Sequence, residues 1–256
     1  MKQALKYYIH ELKARVLGIE LKSFAAFTSF FAGRKGLEIG GPSKIFGPGN
    51  YLPVYSIAGM IDGVNFSDKT VWEGAISRGA SYRYIKGKTG QQFICEGNEL
   101  GHIPDASYDF VLSSHNLEHF ANPLKAVDHW HRILKPGGVL LMVLPDKRYT
   151  FDHRRSVTTL AHLLEDYNSN TPESDLTHLE EIISLHDLSK DPGIKGRDAF
   201  IGRSKNNVDN RCLHQHVFDT ALLQQILQQF GMKCLYTDTV YPYHIIVMGQ
   251  KQGRAL

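Results

Sequence analysis

Two runs of consecutive apolar residues, separated by a helix, constrain the fold of this chain more than any other feature. Phe110-Val111-Leu112 lies within a predicted strand Tyr108–Ser113, and Val139–Val143 is apolar throughout. The segment Leu124–Leu134 between them has apolar residues at helical spacing. Strands without a polar face are buried on both sides, and a strand–helix–strand unit joins parallel strands. The sequence therefore predicts an α/β fold with a mostly parallel sheet covered by helices.

The same alternation of strands and helices extends over most of the chain. The further strands that we predict are Gly36–Ile39, Met60–Phe66, Gln92–Cys95, Lys233–Thr239 and His244–Gly249. We predict one helix over Lys69–Gly79 and another over Ala221–Phe230, after Asp219 as its N-cap. A connection of four residues joins the last two strands, which is too short for a helical crossover, so we predict that this pair is antiparallel.

Three parts of the chain differ in composition. Residues 1–35 carry seven Lys or Arg against two Glu, with apolar residues at the spacing of amphipathic helices. We expect these helices to pack on the domain; the alternative is a weak contact with an anionic membrane surface. Residues 36–146 and 218–256 carry the predicted sheet. Residues 147–217 are rich in His, Asp, Arg and Asn, which predicts a helical insertion after the fifth strand, with a loop over Arg203–Arg211, that binds the acceptor.

Composition excludes several classes of protein. A net charge of +3 is too small to indicate nucleic-acid binding, and we expect no such partner. The three cysteines are far apart and form no CxxC pair, as is typical of reduced thiols in a cytoplasmic protein. The longest apolar stretch, residues 24–32, is too short to span a membrane.

A glycine turn follows the first predicted strand, at Gly40-Gly41-Pro42-Ser43. Ligands of open parallel sheets bind beyond the carboxyl ends of the strands, so this turn is a candidate binding site. Further along, Tyr108-Asp109-Phe110-Val111, Asn116-Leu117-Glu118-His119 and the segment from His131 to Gly138 occur in that order. With these motifs the chain resembles the class I S-adenosylmethionine-dependent methyltransferases over roughly residues 36–146 and 218–250.

This resemblance implies a Rossmann-like sheet of seven strands whose last strand is antiparallel, and a methyltransferase with S-adenosylmethionine as its cofactor. The chain further resembles a bacterial subgroup associated with surface-polysaccharide biosynthesis, through Asp62–Ser67 and Asp146–Asp152 among others. That likeness implies O-methylation of a saccharide or saccharide intermediate, with a small-molecule or glycan acceptor. The alternatives are an NAD(P)-dependent oxidoreductase, although GxGxxG is absent, and a non-catalytic binding protein on a degenerate scaffold.

The resemblance also implies which residues bind the cofactor. Pro42 and Asn65 depart from the family, which has a glycine and a ribose-binding acid at these positions, and Asn98 is the alternative to Glu96 for the adenine amino group. We expect His119 and His131 to be packed or to face the helix exterior. The predicted cofactor residues are Glu38, Gly40, Gly41, Asn65, Glu96, Ser114, His115 and Asn116.

Methyl transfer to a hydroxyl needs a group that accepts the hydroxyl proton. We predict His153 as this base, because it closely follows the fifth strand, and His216 as the second choice, with Asp146 or Asp152 orienting the imidazole. We predict no metal ion; the alternative is a site of His214, His216 and an aspartate. The arginines of the insertion are candidates for binding an anionic sugar.

Overall fold

The computed structural model describes residues 20–191 and 193–253 and shows one eight-stranded sheet with helices on both faces. The strands are β1 Lys35–Ile39, β2 Met60–Asn65, β3 Lys69–Thr70, β4 Gly74–Ala75, β5 Gly79–Ile85, β6 Lys88–Ile94, β7 Tyr108–Ser114, β8 Leu134–Pro145, β9 Met232–Val240 and β10 His244–Lys251. The α-helices are Val54–Ile57, Pro123–Ile133, Leu160–Asn168, Leu179–Leu185, Arg197–Lys205, Asn207–Asn210 and Thr220–Gln229. Short 3₁₀ helices are Lys22–Phe30, Lys44–Phe46, Leu117–His119, Lys147–Tyr149 and Leu188–Lys190.

The order of strands in the sheet is β5-β6-β2-β1-β7-β8-β10-β9. The pairs from β6 to β8 are parallel, and β10 is antiparallel to both β8 and β9, which confirms the predicted antiparallel end. The expected count of seven is wrong, because β5 adds an antiparallel strand at the β6 edge. A two-residue turn with Gly87 at φ +83° joins these two strands, as is usual in hairpins.

The apolar run in β8 serves both faces of the sheet. Leu140, Met142 and Leu144 pack against the helices Pro123–Ile133 and Thr220–Gln229. The alternating residues Val139, Leu141 and Val143 belong to a second core on the opposite face, with Phe24, Phe31 and Phe46. Successive side chains of a strand point to opposite faces, so a continuous apolar run indicates burial on both sides.

The predicted helix over Lys69–Gly79 is wrong. This segment forms the two-residue strands β3 and β4, which pair with each other. Gly74 and Gly79 both have positive φ, at +69° and +106°, which interrupts a right-handed helix. The correction matters for function, because the turn carries Trp72 to the carboxyl edge of the sheet.

The amino-terminal prediction is described only in part. Residues 1–19, which carry most of the predicted basic helices, lie outside the described residues. The helix Lys22–Phe30 packs on the sheet through Phe24, as expected for a helix that belongs to the domain. In the insertion, Arg203–Arg211 is largely helical instead of the predicted loop. Within residues 20–191 and 193–253, no helix is both long and apolar enough to cross a membrane.

Close packing of β2 against β6 depends on Gly90. A Cβ at this position would lie 1.8 Å from the carbonyl oxygen of Ile61, where backbone cannot easily move. We expect Gly90→Ala to lower the free energy of unfolding by about 2–3 kcal/mol, the usual cost of overpacking. Thermal denaturation measures this loss. The control Gly101→Ala, whose Cβ meets nothing within 4 Å, should leave the melting temperature unchanged; equal values for both variants would contradict the expectation.

Candidate active site

The candidate site lies where β1 and β7 end. Gly40 follows β1 with φ +76°, and His115 follows β7 with φ +48°. A Cβ at Gly40 would be 2.8 Å from Oδ1 of Asn116. The positive φ of Gly40 and this short distance both favour glycine at position 40. The absence of a side chain there lets the loops after β1 and β7 approach each other closely at the carboxyl edge of the sheet.

Glu38 stabilises the glycine turn through hydrogen bonds from its neighbours. It is fully buried, and its carboxylate accepts hydrogen bonds from the Tyr55 and Tyr82 hydroxyls, each at 2.6 Å, and from the Ser43 amide at 3.0 Å. Burial raises the pKa of Glu38, although the three hydrogen bonds oppose this. Gly41 is crowded as well, since its Cβ would lie 2.3 Å from the Glu38 carboxyl carbon. Glu38 and Gly41 therefore shape the turn and line neither of the two cavities beside it.

A narrow cavity opens beside Gly40 and brings together several predicted cofactor residues. Gly40, Asn65, Glu96 and Asn116 all line it. Asn65 Nδ2 donates to the Gly41 carbonyl oxygen at 3.0 Å, whereas its Oδ1 is buried without a partner. The Nδ2 of Asn116 is also buried without a partner. Unsatisfied buried amides are rare in proteins, and here they mark a place for a polar ligand.

Sequence reasoning did not assign Trp72, Glu173 or Arg211 to this cavity, although it named Arg211 among the candidates for binding an anionic sugar. Trp72 comes from the β3–β4 turn, and Glu173 and Arg211 come from the insertion. Arg211 forms an ion pair with Glu96. Burial raises the pKa of Glu173 to about 7, although its carboxylate accepts a hydrogen bond of 2.6 Å from Asn98. No spacing in the sequence indicates that these residues meet.

A second, open cleft of about 970 Å³ continues from the first cavity. Gly40 and Asn116 line both, and the predicted residues Ser114 and His115 line the cleft. His119, which we expected to be packed, also lines both cavities. Burial lowers the pKa of His119 to about 3 and that of His115 well below its usual value, so both imidazoles are neutral at pH 7.

The predicted catalytic histidines lie elsewhere. His153 Nε2 lies 2.9 Å from Oδ2 of Asp187, in the insertion, and lines neither cavity. His216 is almost fully buried, with Nε2 at 3.2 Å from the Ala121 carbonyl oxygen, and burial lowers its pKa to about 3.

The two predicted carboxylates are also engaged outside the cavities. Asp146 caps the helix Lys147–Tyr149 and pairs with Arg148 at 2.5 Å. Asp152 pairs with His214 at 2.5 Å and with Arg155 at 3.3 Å, which holds the pKa of Asp152 below its usual value despite burial. The four predicted catalytic residues are therefore not assembled around the cleft, and their role in catalysis stays a prediction.

Comparison with known proteins identifies part of this chain. Residues 46–142 match the family model described as a methyltransferase domain. No protein with a curated description matches the sequence.

Several solved structures are similar in outline. One from Methanosarcina mazei, titled as SAM-dependent methyltransferases, is 15% identical, with 91% of this chain and 99% of that chain covered and a TM-score of 0.49. An S-adenosylmethionine-dependent methyltransferase from Mesorhizobium loti is 13% identical, with 90% and 96% covered and a TM-score of 0.49. A SAM-dependent methyltransferase from Aquifex aeolicus is 13% identical, with 90% and 89% covered and a TM-score of 0.45.

The matched segment contains much of the candidate site. Asn65, Glu96 and the loop from Ser114 to His119 all lie within residues 46–142. The match agrees with the family resemblance of the sequence motifs and favours methyl transfer over nicotinamide-dependent oxidation. This chain is an S-adenosylmethionine-dependent methyltransferase.

Proposed function

We propose that this enzyme methylates a hydroxyl group of a saccharide or saccharide intermediate. The observation that supports this acceptor most directly is the lining of the open cleft. Aromatic rings line it together with neutral hydrogen-bonding side chains such as Asn50 and Ser114. The aromatic residues are Tyr51, Tyr55, Trp72, Tyr84 and Tyr243. Sugars present apolar C–H faces and a rim of hydroxyls, which complement such a surface.

The charges of the cleft favour a neutral acceptor. Apart from histidines, the charged residues among its described lining are Lys44 and Glu73, which are opposite in sign. Five of the six arginines that we considered for an anionic sugar are instead paired with carboxylates. These pairs are Arg148 with Asp146, Arg154 with Asp187, Arg155 with Asp152, Arg203 with Asp191 and Arg211 with Glu96.

We assign the narrow cavity to the cofactor, which supplies an activated methyl group on a sulfonium. Gly40 leaves its backbone open to a ligand. The unpartnered Oδ1 of Asn65 can accept from a ribose hydroxyl, and the unpartnered Nδ2 of Asn116 can donate to a carboxylate. Glu96 and Glu173 both present carboxylates to the cavity and are candidates to accept from the adenine amino group.

The contact of Asn65 with the glycine turn predicts the effect of Asn65→Asp. An aspartate would lose the donor to Gly41 and place a carboxylate oxygen about 3 Å from a carbonyl oxygen. We expect affinity for S-adenosylhomocysteine to fall about five- to 150-fold, since such a mismatch costs about 1–3 kcal/mol. Titration calorimetry measures this, and Asn206→Asp, the same change at an exposed position, should have no effect. Unchanged or tighter binding by Asn65→Asp would favour the family's acidic residue here.

His115 is placed to accept the proton of the acceptor. It lines the cleft directly after β7, and its Nε2 lies 2.8 Å from Nδ1 of His244. A neutral imidazole can take up a proton as the new bond forms. We therefore propose His115 as the general base, in preference to the sequence-predicted His153 and His216, because His115 lies in the cleft and they do not.

The decisive experiment supplies the enzyme with S-adenosylmethionine labelled at the methyl group and a panel of neutral saccharides and sugar intermediates. We expect the label to enter an ether linkage, stable to alkali, in the sugar product, as identified by mass spectrometry. Matched acceptors with an amine in place of the hydroxyl should remain unlabelled. Label on the amine, or in an ester cleaved by alkali, would overturn the proposal of a hydroxyl acceptor.

A further inference from the structure

We propose that Glu118, His119 and His214 bind a divalent transition-metal ion, such as Zn²⁺ or Mn²⁺, at the edge of the cleft. One ligand atom from each residue lies within 4.8 Å of the others. Two imidazoles and one carboxylate form a donor set that suits these ions. His119 also lines both cavities, so an ion held here would face the space in which the acceptor binds.

Glu118 is the first indication of this site. The residue is 1% exposed, and neither carboxylate oxygen has a hydrogen-bond partner. Its Oε1 lies 3.9 Å from His119 Nε2 and 4.0 Å from His214 Nε2, which is too far for hydrogen bonds. Two ligands at about 2.1 Å from a tetrahedral ion lie about 3.4 Å apart, so the side chains would close by about half an ångström around an ion between them.

The contacts of the Nδ1 atoms of His119 and His214 show which nitrogen of each imidazole carries the proton. His119 Nδ1 lies 2.9 Å from the Leu213 carbonyl oxygen, which can only accept, so Nδ1 carries the proton. His214 Nδ1 lies 2.5 Å from the carboxylate of Asp152 and donates in the same way. With these protons on Nδ1, each Nε2 has a lone pair for an ion when its imidazole is neutral.

These outer contacts are typical of metal-binding histidines. A ligating imidazole usually donates its second N–H to a carboxylate or a backbone carbonyl, which fixes the ring. Asp152 plays this part for His214 and is itself held by Arg155 at 3.3 Å. The sequence-predicted catalytic Asp152 is therefore a positioning residue in this proposal.

A second group of histidines provides a contrast. His162, His178 and His216 also lie close together. However, the Nε2 atoms of His162 and His178 lie 3.0 Å apart and contact each other, and the Nε2 of His216 contacts a backbone oxygen. The three Nε2 atoms are thus already engaged, although Nδ1 of His216 has no partner, so we assign the ion to the Glu118 site and use the second group as a control.

The role of the ion rests on the proposed function. A hydroxyl bound on the open side of a divalent cation is a stronger acid than a free one. His115, whose Nδ1 lies 3.8 Å from Glu118 Oε1, is close enough to take the released proton. The ion would thus orient the acceptor and favour its alkoxide beside the cofactor cavity.

Titration calorimetry of the full chain, first freed of metal by a chelator, tests the site. With Zn²⁺ and separately with Mn²⁺, we expect saturable binding of one ion per chain. Glu118→Gln, which keeps the shape of the side chain, should weaken binding about a hundredfold, and Asp152→Asn about ten- to hundredfold. His162→Ala should bind like the wild type. The absence of saturable binding, or loss with His162→Ala alone, would overturn the assignment.

Two further measurements separate this inference from the proposed function. Circular dichroism and the affinity for S-adenosylhomocysteine should be unchanged in Glu118→Gln, which shows that the variant folds. Chelation should reduce methyl transfer, and the same metal ion should restore it. Full transfer to a hydroxyl without bound metal would overturn the inference but leave the proposed function intact. Tight metal binding by an enzyme that methylates no hydroxyl would overturn the proposed function but leave the metal site intact.

Discussion

Replacing Gly40 with valine should abolish binding of S-adenosylmethionine while the protein stays folded. The Cβ would lie 2.8 Å from Asn116 Oδ1, and the branched side chain would enter both cavities. We expect affinity for S-adenosylhomocysteine to fall more than a hundredfold, which is a loss of about 3 kcal/mol in binding free energy. Titration calorimetry measures the affinity, and circular dichroism reports the fold.

A matched control separates lost space from backbone strain. Gly33 also has a positive φ, at +68°, but its Cβ would meet nothing within 4 Å. Gly33→Val should therefore lose stability through strain, as Gly40→Val does, but bind the cofactor normally. If Gly40→Val retains affinity within tenfold of the wild type, the cofactor does not approach the first glycine of the turn.

Replacing His115 with asparagine should reduce kcat by a factor of about a hundred to ten thousand, which is the usual contribution of a general base. Asparagine tolerates the positive φ of this position, so the change removes the imidazole without adding backbone strain. Binding of S-adenosylhomocysteine should stay within about threefold of the wild type, because the change affects the acceptor side. Single-turnover methyl transfer at saturating cofactor measures the effect.

The sequence-predicted base provides the comparison. His153→Ala removes an imidazole that contacts Asp187 outside both cavities. Under our proposal this variant retains most of the wild-type kcat. A hundredfold loss with His153→Ala, together with an active His115→Asn, would restore the sequence-based assignment and indicate that the insertion moves over the cleft during turnover.

The fold was predictable wherever residues close in sequence determine the structure. The apolar run Val139–Val143 indicated a strand buried on both faces, and the short connection before His244 indicated the antiparallel end. β5 was missed although Tyr82 and Tyr84 alternate with exposed residues and a glycine turn follows. The helix predicted over Lys69–Gly79 failed because two glycines there adopt positive φ, which residue spacing alone does not reveal.

The residues of the candidate site were likewise predictable only where they lie near the ends of strands. Gly40 directly follows β1, Asn65 ends β2 and Asn116 comes shortly after β7, so strand prediction places them at the carboxyl edge. Arg211 and His214 reach the site from the insertion, through contacts with Glu96 and Asp152 that span 115 and 62 residues. Such long-range contacts leave no periodic pattern in the sequence. His153 closely follows the fifth parallel strand along the chain, but closeness in sequence did not bring it to the cleft.

The wall that the insertion contributes to the narrow cavity has a consequence for the kinetic order of the reaction. Arg211 is tied to Glu96, and Glu173 also lines the cavity, so the insertion forms part of the wall around a ligand bound there. We expect a shift of this wall to assist release of the spent cofactor. We therefore expect product release to limit steady-state turnover, with strong inhibition by S-adenosylhomocysteine and an ordered sequence in which the cofactor enters first and leaves last, which product-inhibition kinetics measure.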